Sequence, residues 1–460
     1  MGAGCCGRTV EGDDRLMMLR KRRKRSGNED EEASPMPQID PGYLSLPNRF
    51  NLRSQRGMEL GLAGLENIGN TCYINAALQC ILNCQPLVDY LLSGSYEEEI
   101  NPFNPLGSQG ELTRAIAELT KVQWKDEFEV IMPKHIVELI REIAPLFAEG
   151  AQHDSHELLS FLLDQLHEDL NRATDRTPIS KQTYTSESDE KQAAKAWAQH
   201  LKRNSSVIVD LFQGQLKSTL RCAQCGYQSI TFDTFMYLSL PIPKRLQRPT
   251  LQDCLAEFTR EERLEAGWVC PTCDTQVEVF KKFDIWKVPP VLMFHLKRFH
   301  YNSELKGKIT KFIRYPVSNF DLTEYITGPQ KHPPRYDLFA KTDHEGTLSQ
   351  GHYSASCRNM KSQKWYCFDD EHVARLYAED VLNARAYILF YCKNSVQEYG
   401  RQAEDLPQLW PHIVSRDGSR KQSVASEKPE EEPSLPQFKL KGARRKPTVE
   451  TTLATLPSEM

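Results

Sequence analysis

Long apolar runs are missing from this sequence of 460 residues. No stretch approaches the roughly 18 consecutive apolar residues of a membrane-spanning helix, and the N-terminus lacks the apolar core of a secretory signal peptide. A strong charge imbalance is missing too: the formal net charge is -4, so the total gives no indication of nucleic-acid binding. We therefore expect a protein of a reducing compartment, in the first place the cytoplasm.

The cysteine pattern argues against a disulfide framework, because thirteen is an odd number and the chain shows no sign of secretion. Four cysteines instead form two C-x-x-C pairs separated by 44 residues. Four thiolates suit tetrahedral zinc in a closed, structural site. We therefore predict one structural zinc ion held by Cys222, Cys225, Cys270 and Cys273.

The two ends of the chain are too polar to form a core. Residues 1–60 contain six consecutive basic residues at 20–25 and four consecutive acidic residues at 29–32, and residues 395–460 are rich in Glu, Lys, Pro and Ser. Such segments cannot offset their ordering entropy by burying apolar surface. We expect disordered tails on both sides of one folded domain at residues 61–394.

The first residues resemble a lipid-anchor signal but depart from its pattern. The chain starts with Met-Gly and continues with Cys5 and Cys6, whereas the myristoylation pattern requires Ser or Thr where Cys6 stands. If Gly2 were acylated, both cysteines would be palmitoylation sites, and the basic run would add attraction to an anionic leaflet. An ordinary tail and a nuclear import signal are the alternatives to this peripheral membrane association.

The segment between the tails changes its pattern along its length. In HDSHELLSFLLDQLHEDLNR, residues 153–172, leucines recur at a spacing of four, and Asp154 stands where a helix N-cap is expected. From about residue 205, β-branched and aromatic residues dominate in VIVDLFQGQLKSTL, VEVFKKFDIWKV, VLMFHLKRF and ARAYILFYC. A helical front and a β-rich back predict an α+β domain.

A cysteine occupies a chemically special position in GLENIGNTCYINAALQC, residues 64–80. Apolar residues at helical spacing follow Cys72, and the Gly69-Asn70 pair before it predicts a turn. Cys72 would thus lie in the first turn of a helix, where unpaired N–H groups and the helix dipole lower the pKa of a thiol. The alternative is a small buried residue with no chemical role.

A thiolate nucleophile needs a base and a group that orients the base. QGHYSASCRN places His352 at the start of a strand-like run, and KWYCFDDEHV brings Asp369 and Asp370 seventeen and eighteen residues later. Two antiparallel strands joined by NMKSQK would bring a carboxylate beside the imidazole. Taken singly, the histidine also fits a surface position and the aspartates fit a turn, and spacing alone does not place Cys72 beside His352.

Five segments together resemble the ubiquitin-specific protease family of papain-like cysteine proteases. They are, in chain order, GLENIGNTCYINAALQC, GAQHDSHELLSFL, VPPVLMFHLKRF, QGHYSA and WYCFDDEHV with AYILFYCK. The resemblance covers about residues 61–393, with QHD where many members have QQD. It implies a papain-like thumb, palm and fingers architecture, with a helical front, a β-rich palm and the zinc site at the tip of β fingers at about residues 205–285.

The resemblance also implies roles for residues of the site. Cys72 would be the nucleophile, His352 the general base and acid, and Asp369 the residue that orients His352, with Asp370 as a second contributor. Asn67 matches the oxyanion-hole side chain of the family, and an amide donor aimed at a developing alkoxide is worth roughly 3 kcal/mol of barrier.

Three further residues match positions that contact the substrate in the family. Asp154 would help to hold the basic C-terminal tail of ubiquitin, or serve only as a helix cap. Gly351 and Tyr353 would line a narrow channel that admits only a Gly-Gly tail.

By this resemblance the chain is a thiol-dependent deubiquitinase, which hydrolyses isopeptide or peptide bonds after the C-terminal glycine of ubiquitin through a thioester. Ubiquitin and ubiquitinated proteins would be its partners. Two other classes stay open. A ubiquitin-holding module without catalysis is disfavoured by the full set of site residues, and a zinc-ribbon nucleic-acid binder is disfavoured because the densest basic runs lie in the tails.

Overall fold

The computed structural model describes residues 60–124, 128–147, 150–173, 187–299, 307–347 and 350–394. The acylation signals, the basic run at 20–25 and the C-terminal tail lie outside these residues, so what the sequence indicates for them remains a prediction. Among the helices of the described residues, none combines the length and the apolar character that crossing a membrane requires.

Helices dominate the first part of the described chain, as the leucine spacing predicts. Asp154 is the N-cap of the helix that follows it, and its side chain accepts a hydrogen bond from the N–H of His156. The helices are α1 (Cys72–Leu82), α2 (Gln85–Ser93), α3 (Tyr96–Glu99), α4 (Glu111–Gln123), α5 (Lys134–Ile143), α6 (Ser155–Asp169), α7 (Asp189–Leu201), α8 (Val207–Phe212), α9 (Leu251–Phe258) and α10 (Ala378–Val381).

Helix α1 lies inside the fold, and all eleven of its residues are buried. The turn before it uses left-handed backbone at Gly69 (φ 107°) and Asn70 (φ 52°), which are the residue types that tolerate this conformation. The helix of Cys72 is short, because α1 ends at Leu82 and Pro86 occupies the first turn of α2. Cys84 is the N-cap of α2 and does not belong to the helix of Cys72.

An eight-stranded sheet forms the palm. Its strands follow the order β13-β12-β11-β10-β14-β8-β5, and β9 pairs with β10. The strands are β5 (Leu238–Leu240), β8 (Val291–Leu296), β9 (Phe320–Asp321), β10 (Arg335–Gly346), β11 (Gly351–Arg358), β12 (Trp365–Asp369), β13 (His372–Leu376) and β14 (Ala386–Lys393). A short parallel pair of β1 (Gly64–Leu65) and β2 (Val130–Ile131) lies apart from it.

The centre of the sheet is buried on both faces, since every residue of β14 except Lys393 is buried. A large apolar cluster covers part of the sheet, with Leu292, Phe294, Leu338 and Tyr391 among its members. Helix α1 packs against β10, β11 and β12. This packing brings the N-terminal end of α1 to the strand that carries His352.

A second antiparallel sheet forms the fingers, in the order β4-β3-β7-β6. Its strands are β3 (Gly214–Cys222), β4 (Gln228–Phe235), β6 (Glu262–Cys270) and β7 (Thr275–Lys287). The strand predicted at VIVDLF is wrong: residues 207–212 form helix α8. The Ser206 side chain accepts from the N–H of Val209 and caps this helix, and five of its six residues are buried, so tertiary packing overrides their β propensity.

A fully buried carboxylate ties α6 to the segment before α4. Asp169 has no exposed surface and accepts hydrogen bonds from the N–H and hydroxyl of Ser108, the N–H of Gly110, and the N–H and hydroxyl of Thr113. These bonds satisfy backbone donors at the start of α4 that have no partner within the helix.

We predict that Asp169→Ala strongly lowers the free energy of unfolding of the full chain. The substitution leaves five buried donors without an acceptor, so we expect a loss of about 3 kcal/mol or more in urea unfolding. Glu97→Ala is the control, because the Glu97–Arg114 ion pair is solvent-exposed and its loss should cost less than about 1 kcal/mol. Equal effects of the two substitutions would contradict the role given to Asp169.

Candidate active site

The predicted histidine–aspartate pair is present at one end of the palm sheet. Strands β11 and β12 pair antiparallel across the turn at residues 359–364, with Ala355 opposite Phe368. His352 lies near the start of β11 and Asp369 at the end of β12, so the strand pair brings both side chains to the same end. His352 Nε2 lies 2.5 Å from Asp369 Oδ1, which leaves Nδ1 of the imidazole available for proton transfer.

Cys72 reaches the same place from α1. It is the first residue of the helix, its side chain is buried, and the backbone N–H of Tyr353, the residue after His352, acts to lower the pKa of its thiol. Among the hydrogen bonds of the described residues, none joins Cys72 Sγ to the His352 ring. Helix α1 and strand β11 thus bring Cys72 to the residue that follows His352, without a hydrogen bond between the thiol and the imidazole.

The expected lowering of the Cys72 pKa is wrong for this state of the protein. Burial raises the pKa of the thiol above its ordinary value, and the negative charge of Asp370 acts in the same direction. Backbone N–H groups of Tyr353, Tyr73 and Cys72 do act to lower it, as expected at a helix N-terminus. Their effect is smaller than the cost of placing a thiolate in a site that is closed to water.

Asp370 is held by two amide side chains. It occupies the turn between β12 and β13 with left-handed backbone (φ 53°). Its Oδ2 accepts from Asn67 Nδ2 at 2.8 Å and its Oδ1 accepts from Asn75 Nδ2 at 2.8 Å. Its carbonyl oxygen also accepts from the N–H of Leu65. These bonds lock the hairpin to the loop before α1 and to α1 itself.

Asn67 lies beside the nucleophile and organises the loop before it. Its Oδ1 accepts from the N–H of Gly69 at 3.1 Å and from both the N–H and the hydroxyl of Thr71. One N–H of its amide is used by Asp370. These bonds fix the plane of the Asn67 amide. An oxyanion role would therefore depend on the second N–H of this amide.

The three residues predicted to contact substrate differ in their surroundings. Tyr387 donates a hydrogen bond to Asp154 Oδ2 at 2.5 Å, and burial raises the pKa of the Asp154 carboxyl. A side chain on Gly351 would meet His344 Nε2 at 2.2 Å, so only glycine fits there. Tyr353 is 4% exposed and does not line the cleft, so among the described residues its predicted place in the wall of a channel is not seen.

A polar cleft opens beside His352. Its volume is about 610 Å³, and its lining residues come from three loops around the N-terminal end of α1 and the start of β11. They are Asn70, Ala151, Gln152, Glu345, Gly346, Gln350, Gly351 and His352. The site thus has an open approach for an extended chain, next to the imidazole.

Sequence reasoning missed three residues that hold the site. Asn75 binds Asp370. Gln152 accepts from the N–H of Gly351, and Tyr387 donates to Asp154. For Asn75 a signal was available, since it is a polar residue three positions after Cys72 in a helix that is apolar on all sides. Nothing in the local pattern around Gln152 or Tyr387 indicates a contact with segments about 200 residues away.

The four predicted zinc ligands come together at the tip of the fingers. Cys222 ends β3 and Cys270 ends β6; the Cys222–Cys273 and Cys225–Cys270 sulfur distances are 3.9 and 3.6 Å. Tetrahedral zinc with Zn–S bonds of about 2.3 Å requires sulfurs about 3.8 Å apart. The N–H of Cys225 donates a hydrogen bond to Cys222 Sγ at 3.4 Å. The geometry and chemistry of these thiols fit a zinc ion.

Two stacked histidines lie behind the Asp154 cap. The His156 and His295 rings are 3.9 Å apart and nearly parallel, and the Tyr237 ring meets His156 edge-on. Burial lowers the pKa of His156 to about 4 and that of His295 well below its ordinary value. Both rings are therefore neutral at physiological pH, and protonating either one requires opening of this region.

This burial predicts a loss of stability in mild acid. The unfolded chain protonates His156 near pH 6.5 and the folded chain only near pH 4, so the stabilisation is complete above about pH 6.5 and is lost as the pH falls. Between pH 7 and pH 5, His156 should account for a loss of about 2 kcal/mol. The His156→Gln variant should therefore lose less stability over this interval in urea unfolding.

The control for this experiment is His372→Gln, because the His372 side chain is 81% exposed. This substitution should leave the pH dependence of unfolding unchanged. A wild-type chain that is equally stable at pH 7 and pH 5 would show that the buried histidines do not titrate as described.

Comparison with known proteins gives a consistent picture. A family model described as ubiquitin carboxyl-terminal hydrolase matches residues 63–391. Ubiquitin carboxyl-terminal hydrolase 2 of Homo sapiens is 37% identical over 355 residues, which cover 76% of this chain and 58% of the relative. Ubiquitin carboxyl-terminal hydrolase 4 of Saccharomyces cerevisiae is 34% identical over 407 residues, which cover 79% of this chain and 43% of the relative. The chain thus spans about half the length of these relatives.

The fold also matches solved structures. A chain from the structure of the SAGA Ubp8/Sgf11/Sus1/Sgf73 DUB module bound to ubiquitin aldehyde superposes with a TM-score of 0.57 at 23% sequence identity. The match covers 73% of this chain and 70% of that chain. At this identity the likeness establishes the fold, which agrees with the α+β architecture expected from the sequence.

Proposed function

Since the chain belongs to the ubiquitin carboxyl-terminal hydrolase family, we propose that it is an active cysteine-type deubiquitinase. It would hydrolyse isopeptide or peptide bonds after the C-terminal glycine of ubiquitin. The observation that carries the proposal is the His352–Asp369 pair, bonded at 2.5 Å at the N-terminal end of the helix that begins with Cys72.

The first step would form a thioester. His352 takes the proton of Cys72 through Nδ1, and the sulfur attacks the carbonyl carbon of the terminal glycine. Asp369 holds Nε2 of the imidazole and stabilises the positive charge that develops on the ring. Because the thiol and the imidazole are not hydrogen-bonded in this state, substrate binding would have to bring them together before proton transfer.

The second step would release the product. The thioester forms as the C–N bond breaks and the imidazolium donates its proton to the departing amine; in the second step a water molecule deprotonated by His352 hydrolyses the thioester, and the thiol is regenerated with the proton that His352 returns. The backbone N–H of Cys72 and the free N–H of the Asn67 amide would stabilise the oxyanion in both steps. The open cleft beside Gly351 would admit the C-terminal tail, and Asp154 would contribute a partly buried acidic group to its basic residues.

Labelling by a ubiquitin probe with a C-terminal electrophile tests the proposal. We expect the full chain to form a covalent adduct and the Cys72→Ala variant to form none. We also expect His352→Ala to lower kcat by about 10²–10⁴, the usual contribution of a general acid–base group.

His372→Ala is the matched control, since it removes an exposed histidine in the neighbouring hairpin and should leave the rate unchanged. Adduct formation by Cys72→Ala would refute the assignment of the nucleophile. Reversible ubiquitin binding without an adduct in the wild type would favour the alternative, a ubiquitin-holding module.

The fingers would carry one structural zinc ion held by Cys222, Cys225, Cys270 and Cys273. Support comes from the sulfur distances and from the small size of the core at the tip, where the buried residues of the cluster are Cys222, Cys270 and Val277. So small a core does not stabilise the ends of β3 and β6 by burial alone, and small units of this kind usually depend on a metal.

Loss of one ligand should therefore remove the metal. We expect elemental analysis after dialysis to find about one zinc per wild-type chain and almost none in Cys270→Ser, together with a lower unfolding temperature. Cys367→Ser is the control, because Cys367 lies in β12 far from the four thiols in sequence and sheet. A wild-type chain free of zinc after purification with added zinc would contradict the site.

Location in the cell remains part of the proposal. The cysteine usage supports a location in the cytoplasm. Peripheral membrane association is supported by Gly2, Cys5 and Cys6 together with the basic run at 20–25. The basic run also supports nuclear import as an alternative.

A further inference from the structure

Three metal-ligating side chains meet at one end of the palm sheet. One ligand atom each of His352, Asp369 and Asp370 lies within 4.8 Å of the other two. An imidazole nitrogen and carboxylate oxygens are ligands that zinc takes in proteins. We call this group the His-Asp-Asp cluster. The structure of the described residues contains one other group of this kind, the four thiols of the fingers.

The backbone explains how two consecutive aspartates come to share one neighbour. Successive residues of a strand point to opposite faces of the sheet, so adjacent carboxylates in a strand do not normally lie at one site. Strand β12 ends at Asp369, and Asp370 has left-handed backbone with φ 53°. This turn interrupts the alternation, and both carboxylates lie beside His352.

The Asp370 carboxylate is oriented in advance by two amides. Its Oδ2 accepts from Asn67 Nδ2 and its Oδ1 accepts from Asn75 Nδ2, both at 2.8 Å. Each carboxylate oxygen has two acceptor sites, so each still has one for a metal ion. Hydrogen-bonded partners that orient a ligating carboxylate in this way are a regular feature of metal sites.

The other two ligands are accessible and have room to adjust. The His352 and Asp369 side chains are 48% and 55% exposed, and His352 lines the open cleft. Four-coordinate zinc with bonds of about 2.1 Å requires ligand atoms about 3.4 Å apart. His352 Nε2 and Asp369 Oδ1 are 2.5 Å apart. The pair therefore has to open by about 1 Å, which exposed side chains can do without moving the backbone.

We propose that the His-Asp-Asp cluster binds a zinc ion and that this ion inhibits the hydrolase; the inhibition rests on the proposed function. The ion takes the lone pair of His352 Nε2, and one oxygen of Asp369, one oxygen of Asp370 and a water molecule complete its coordination. The ring proton that faced Asp369 moves to Nδ1. Nδ1 then has no lone pair to accept the proton of Cys72, so the thioester does not form.

Cobalt(II) tests the binding, since it replaces zinc and absorbs visible light. The full chain, loaded with zinc and dialysed, is titrated with cobalt(II). We expect the weak d–d absorption of one cobalt(II) ion bound by nitrogen and oxygen, without a sulfur-to-metal charge-transfer band. His352→Ala and Asp369→Ala should abolish this absorption, and because both side chains are exposed, both variants should fold. Asn75→Ala, which removes an orienting amide, should weaken binding about 10–100-fold.

Two variants serve as matched controls for the titration. Cys72→Ala should bind cobalt(II) as the wild type does, because the thiol is not a ligand in this proposal. His372→Ala removes the exposed histidine of the neighbouring hairpin and should also leave the titration unchanged. Loss of binding in His372→Ala, with binding retained in His352→Ala, would overturn the proposal.

Inhibition is measured with a ubiquitin substrate that releases a fluorophore. Zinc should lower the rate of the wild type, and Asn75→Ala should need about 10–100-fold more zinc for the same fractional loss relative to its own metal-free rate. A charge-transfer band that disappears in Cys72→Ala would overturn the proposal, because it identifies the thiol as a ligand. So would the absence of cobalt(II) binding in the wild type.

The two measurements separate this inference from the proposed function. A chain that is active without added metal and is not inhibited by zinc overturns the inference and leaves the proposed function intact. A chain that binds cobalt(II) through His352 but has no activity without added metal overturns the proposed function and leaves the metal site.

Discussion

The site depends on one carboxylate that joins segments about 300 residues apart. Asp370 accepts one amide N–H from Asn67 and another from Asn75, and its carbonyl holds the N–H of Leu65. Asp369, the neighbour of this anchored residue, holds His352. The loop before Cys72, the helix that begins with Cys72 and the carboxylate that binds His352 are therefore fixed by a single turn.

Burial governs the chemistry around this anchor. It raises the pKa of Cys72, raises that of Asp154 and lowers those of His156 and His344 to about 4. These shifts favour the neutral thiol of Cys72 and the uncharged rings of the interior histidines. The His352 side chain, by contrast, is half-exposed and lines the open cleft.

The fingers are constructed on a different principle from the palm. Palm strands such as β14 are buried on both faces, so apolar area alone stabilises them. The finger strands are largely half-exposed, and their tip has almost no apolar residues to bury. At this tip lie Cys222, Cys225, Cys270 and Cys273, a group that could hold a metal ion.

The sequence by itself determined the α+β class, the helix that begins at Cys72, the cap at Asp154, the β-rich second part and the two cysteine pairs, because these depend on local periodicity, capping and ligand spacing. It also predicted that a carboxylate would meet His352, since two strands and a short turn suffice for that. Only the tertiary structure decided that VIVDLF is helical, that burial raises the Cys72 pKa, and that Asn75, Gln152 and Tyr387 support the site. Each of these results from contacts between residues distant in sequence, where desolvation and packing outweigh the local preferences that a sequence pattern records.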